Sequence, residues 1–263
     1  MKRRMLAALC LLASTVGFTG CTTVPESGRS QLLLISPGEE AQSGVAAFSQ
    51  IKEKEKVSTE PAVNARLTRI GQRIAAAVGR DLPNANWEFV VFDSPQLNAF
   101  ALPGGKVGFY TGLIDLAGSD DEIAAVMGHE IAHVSSRHGA ERQSQALLVG
   151  LGGALLNAGA QENKNRDAFL LAYGLGSTLG TLAYSREHET EADVIGLRFA
   201  ARAGYDPRAA VSFWQKMAAK NSGGNQLKWL STHPPSGERI ARLQQIAPTL
   251  MPLYEQAKAG QAP

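Results

Sequence analysis

The pentapeptide His129-Glu130-Ile131-Ala132-His133 narrows what this chain can be more than any other stretch, because its chemistry works only on a helix. At about 100° per residue, two histidines four apart lie about 40° apart around the axis, so both imidazoles reach one metal ion. Glu130 then sits beside them, placed to act on water. Ser119-Asp120-Asp121-Glu122 reads as a capping box that starts this helix, which is expected to run to about His138. Ile123, Met127, Ile131 and Val134 form a stripe that anchors one side while the histidine side faces a cleft. His138 is expected at the helix end, pointing away from both ligands.

A catalytic zinc takes three protein ligands and keeps one position open, so a third ligand must come from elsewhere. Four acids in the segment from Ser185 to Asp193 compete for that role. Glu187 and Glu191 share one helical face, Glu189 and Asp193 another. Either pair could supply one carboxylate to the metal and one to a ligand histidine, and spacing leaves both open.

Upstream, Met1-Lys2-Arg3-Arg4, an apolar run from Met5 to Phe18 and Thr19-Gly20-Cys21 predict a secretory signal over residues 1–20, too short to span a bilayer. Phe18-Thr-Gly-Cys21 resembles a bacterial lipoprotein signal, which makes Cys21 the lipidated mature N-terminus and residues 21–36 a tether. Thr22 after that cysteine, in place of an aspartate, points by the same resemblance to the outer membrane and its periplasmic face. The other cysteine, Cys10, leaves with the signal, so stability must come from a core and not from a disulfide. Of 26 basic and 24 acidic residues, Lys2, Arg3 and Arg4 belong to the signal, leaving a mature balance of one negative charge. No basic cluster with interleaved aromatics supports nucleic-acid binding.

Residues 37–263 are expected to form one domain. Helices are predicted from Pro37 to about Ile51 and from Pro61 onward, the second with Val63, Leu67, Ile70, Ile74 and Val78 on one face; a charged hinge, Lys52 to Glu60, separates them. Gln31 to Ile35 and Trp87 to Phe92 read as strands. Asn98 to Leu102 and Lys106 to Tyr110 read as a hairpin around Pro103-Gly104-Gly105, whose edge could bind extended substrate. Leu147 to Ala160 and Ala168 to Ala183 are Gly/Ala/Leu-rich, reading as packed helices or as a hairpin facing membrane or substrate. Gly204-Tyr205-Asp206-Pro207 stops one helix and starts another, and His233 lies in a rigid, non-helical stretch before a last helix capped at Ser236.

Taken together, Asn98-Ala-Phe-Ala-Leu-Pro-Gly-Gly105, the HEIAH motif followed by Arg137-His138, the Glu-x-Glu-Ala-Asp run ending at Asp193, and Thr232-His233-Pro234 with Arg239 resemble the HtpX and CAAX-prenyl-protease-like zinc metallopeptidases, in the periplasmic lipoprotein branch of the LoiP and BepA kind. The resemblance implies a mainly α, α+β zincin-like (gluzincin) fold with a small sheet beside the motif helix. It implies one Zn2+ per chain on His129, His133 and Glu189, with Asp193 supporting a ligand histidine and Glu130 as general base. His233 is implied to reach the site as a latch or transition-state residue, with Arg239 assisting. The expected activity is endopeptidase cleavage of unfolded or misfolded envelope proteins, with the membrane engaged through Cys21. The alternative is an envelope chaperone or assembly factor with a latched or structural zinc, partnered by assembly machinery or by further copies of itself.

Overall fold

The computed structural model describes residues 21–82, 85–154, 185–221, 229, 232–233 and 237–260. The expected signal over residues 1–20, the cap at Ser236 and most of the two Gly/Ala-rich stretches lie outside these residues. Strands β1 (Cys21–Thr23) and β2 (Ser30–Leu32) pair antiparallel ahead of helices α1 (Pro37–Lys54) and α2 (Pro61–Val78). Next come β3 (Glu88–Phe92), β4 (Ala99–Leu102), β5 (Lys106–Tyr110), α3 (Thr111–Ala117), the motif helix α4 (Asp120–Ser135) and α5 (His138–Ala154). Helices α6 (Arg186–Arg202), α7 (Ala209–Asn221), α8 (Gly237–Ile246) and α9 (Met251–Lys258) complete the described elements. The fold is the expected mainly helical α+β arrangement. No helix among the described residues is long and apolar enough to cross a membrane.

Helix α1 starts with a full capping box: Ser36 accepts from the Glu39 N–H while the Glu39 carboxylate accepts from Ser36 N–H. Such a cap is worth about 1 kcal/mol. Ser36→Ala is therefore expected to lower stability by about that amount, read from the urea midpoint. The helix runs three residues into the expected hinge, ending at Lys54. In α2 the stripe is realised, with Leu67, Ile70, Ile74 and Val78 buried against the sheet and α4.

The hairpin forms as expected, β4 antiparallel to β5, and β3 joins the far side of β5 in parallel, giving the order β3-β5-β4. The strand that packs on the motif helix is β4. Between β5 and α4 the chain inserts α3, which sequence reading did not anticipate.

Three expectations around α4 are corrected. Ser119 does cap the helix, but the Glu122 carboxylate does not return to it; it takes Ser212 (2.6 Å) and Lys216 (2.6 Å) from α7 instead. The helix ends at Ser135, not His138, because Arg137 adopts a left-handed conformation (φ 55°) that turns the chain and lets His138 open α5. Nor is only one side anchored: every residue from Glu122 to Ser135 is buried, since α6 covers the face that was expected to look into a cleft.

That cover is made possible by glycine. Where α4 and α6 meet, a Cβ on Gly128 would lie 2.4 Å from the Gly196 carbonyl oxygen, and one on Gly196 would lie 2.6 Å from the His129 nitrogen. Only paired glycines let two helical backbones approach this closely.

The tether expectation also fails for residues 22–30. Val24 is buried in the main core, Glu26 pairs with Arg198 and Arg202, and Arg29 pairs with Glu141 and Glu191. Polar composition suggested solvent, but these charges find partners on α5 and α6.

Candidate metal centre

One turn of α4 supplies His129 and His133, the first turn of α6 supplies Glu189, and the stretch ahead of α8 supplies His233. One ligand atom from each lies within 4.8 Å of all the others, and all four residues are buried. The two Nε2 atoms of His129 and His133 stand 3.1 Å apart. His233 Nδ1 is 3.2 Å from His129 Nε2 and 2.9 Å from Glu189 Oε1, which is 3.3 Å from His133 Nε2. Zinc bonds of about 2.0–2.1 Å set tetrahedral corners about 3.3 Å apart, so the donor types and their spacing fit that ion.

Each donor is held from behind. His129 Nδ1 lies 3.0 Å from Asp193 Oδ1, one turn beyond Glu189 on the same helix. Arg239 grips both acids: Nε and Nη2 each reach Asp193 at 2.7 Å, and Nη1 reaches Glu189 Oε2 at 2.5 Å, while the guanidinium lies 3.6 Å from the centre of the Trp214 ring. Burial would push both carboxyls up. The charges of His233 and Arg239 instead hold Glu189 well below the usual carboxylate range, and Arg239 with the His129 hydrogen bond lowers Asp193. Burial pushes His133 down, which keeps it neutral, the form that ligates metal. These acids are therefore ionised and His133 is a free base.

Glu130 accepts a hydrogen bond from Trp229 Nε1 (2.9 Å) and lies 3.6 Å from His233 Nε2. His233 is a bend outside any helix, as expected, and its N–H donates to the Trp229 carbonyl four residues earlier (2.9 Å). Trp229 thus reaches Glu130 while His233 reaches the donor cluster.

The four competing acids separate cleanly. Glu189 and Asp193 face the histidines of α4, Glu187 is exposed, and Glu191 is buried on the flank of α6 away from the donors. His138 also departs from expectation. Its Nδ1 meets His133 Nδ1 at 2.8 Å and its Nε2 meets Glu191 Oε2 at 2.8 Å. One local hint of this was available, Arg137-His138 shortly after the pentapeptide. Trp229, Trp214, Glu191 and Arg29 carried no comparable signal, since their partners lie far away in the chain.

Comparison with known proteins agrees with this geometry. The model of peptidase family M48 matches residues 61–247, which include all the residues described around the four donors except Arg29. The mitochondrial metalloendopeptidase OMA1 of Schizosaccharomyces pombe is 34% identical over 239 residues, 88% of this chain and 68% of that protein. The human mitochondrial metalloendopeptidase OMA1 is 32% identical, over 95% of this chain and 50% of that protein. The beta-barrel assembly-enhancing protease of Escherichia coli K12 is 27% identical, over 98% of this chain and 55% of that protein.

Proposed function

Because the chain belongs to peptidase family M48 and is a zinc metalloendopeptidase, we propose that His129, His133 and Glu189 hold its zinc, that Glu130 is its general base, and that it cleaves unfolded or damaged proteins of the bacterial cell envelope. The supporting observation is Glu130 standing beside a cluster of four buried metal donors, within a helix packed backbone to backbone against α6. When bound, zinc supplies Lewis acidity that polarises a scissile carbonyl and makes water far more acidic. Glu130 takes the proton from the attacking water and delivers it to the leaving amine. Asp193 orients His129 and Arg239 fixes Glu189 and Asp193, so the ligand set is rigid before substrate arrives.

Strand β4 is one of the two outer strands of its sheet among the described residues, and the one that packs on α4. Backbone pairing along it would hold an extended chain with little regard to side chains, which suits unfolded substrates. The location proposed is the periplasmic face of the outer membrane with a lipid on Cys21. The signal pattern around Cys21 and the similarity to an Escherichia coli protease named for β-barrel assembly support it.

The position of His233 favours a resting form in which this site is latched. With His233 Nδ1 among the donors, four protein groups fill the corners that a catalytic zinc would share with water. His233→Ala should then raise cleavage of an unfolded protein such as reduced casein several-fold. A fall in cleavage would assign His233 to the transition state instead.

A further inference from the structure

Behind His133 runs a chain of buried polar contacts that ends in the N-terminal segment. With Nε2 of His133 turned to the donor cluster, its Nδ1 carries the proton and donates to His138 Nδ1 at 2.8 Å. His138, wholly buried, must then carry its own proton on Nε2, which donates to Glu191 Oε2 at 2.8 Å. Glu191 is held in turn by Arg29 Nε (2.8 Å) and by the Ser27 hydroxyl. The remaining arms of Arg29 fork onto Glu141 of α5 at 3.0 and 2.8 Å, and Glu141 also takes His188 at 3.1 Å. One guanidinium therefore ties α5 to α6 directly beneath a donor histidine. Asp193 does the equivalent for His129 from α6 alone, but His133 has its anion one residue further away, across His138.

We propose that Arg29, acting through Glu191 and His138, is a positioning residue for His133, so that the segment next to Cys21 is part of the metal centre. This rests on His133 being a zinc ligand. A carboxylate two hydrogen bonds behind the imidazole fixes its tautomer and rotation and raises its basicity, and outer partners of this kind are worth about 10- to 100-fold in metal affinity. Arg29 keeps that carboxylate aimed at His138 Nε2.

The test is zinc affinity of the full chain, measured by competition with a chromophoric chelator, alongside kcat and KM. Arg29→Met and His138→Phe should each weaken zinc about 10-fold or more and lower kcat with KM little changed. The double variant should be no worse than the weaker of the two singles, since both break one chain. Glu26→Gln removes the pairing of the same segment with Arg198 and Arg202 without touching Glu191, and should leave zinc affinity within about twofold. Equal loss in Glu26→Gln and Arg29→Met, or additive losses in the double variant, would overturn the proposal by reducing Arg29 to a clasp. Full zinc affinity in Arg29→Met would overturn it too. Zinc retained in His133→Ala would instead show that the ligand assignment itself is wrong.

Discussion

Glu130→Gln is expected to keep its zinc and lose at least about a hundredfold in cleavage of an unfolded protein. The amide matches the carboxylate in size, and its oxygen can still accept from Trp229 Nε1, so the helix and the donors around it have no reason to move. What disappears is the basic oxygen. An amide cannot take a proton from the attacking water or return one to the leaving amine, so kcat should carry the loss. Metal content by mass spectrometry and cleavage of reduced casein, measured on one preparation, decide the matter. Unchanged cleavage would end the proposed mechanism, and a protein whose main action is to bind unfolded chains predicts that result.

Gly196→Ala should lower stability and zinc affinity together. Alanine favours a helix over glycine by about 1 kcal/mol, so an open site would gain stability. Here the new Cβ would meet the His129 nitrogen and Cα and the Gly128 carbonyl carbon at 2.6–2.7 Å, all backbone atoms that no rotamer change can clear. Helices α4 and α6 must part, at about 3 kcal/mol or more for an overpacked core, which leaves a net loss of about 2 kcal/mol. Parting them also carries Glu189 and Asp193 away from His129 and His133, so zinc affinity should fall with stability. The urea midpoint and the zinc competition assay should move together. Gly237→Ala, with nothing within 4 Å of its added carbon, serves as the open-site comparison and should lose no stability. An unchanged midpoint in Gly196→Ala would mean that the helices do not approach as closely as described.

These two residues also show how far the sequence could be read. Local patterns carried the elements well: the α2 stripe, the hairpin around Pro103-Gly104-Gly105 and the start of α4 at Ser119 are written in spacings of a few residues. Elements set by the tertiary environment were not legible. Helix α3 has no cap from a side chain, and the left-handed backbone at Arg137 is a conformation that non-glycine sequence does not announce. At the site, the histidine pair was visible because a helix fixes its geometry. Choosing among Glu187, Glu189, Glu191 and Asp193 was not possible from spacing, because which face of α6 turns to α4 is decided by Gly196, a residue with no side chain to read. The links from His138 to Glu191 and from Glu191 to Arg29 span 53 and 162 positions, and nothing local marks them.

The burial of Val24 has a bearing on how the enzyme would meet its substrates. A lipid on Cys21 would be separated from a core residue by only Cys21–Thr23, and those three residues are themselves paired with β2. Fully extended, they span about 10 Å. A protein on a long leash sweeps a hemisphere of periplasm and tumbles as it does so. One fastened this closely would patrol a layer scarcely thicker than itself, with the same side toward the bilayer. With a lipid on Cys21, the enzyme would select its targets by where they stall as well as by what they are, and a chain that cleared the membrane surface would pass out of reach.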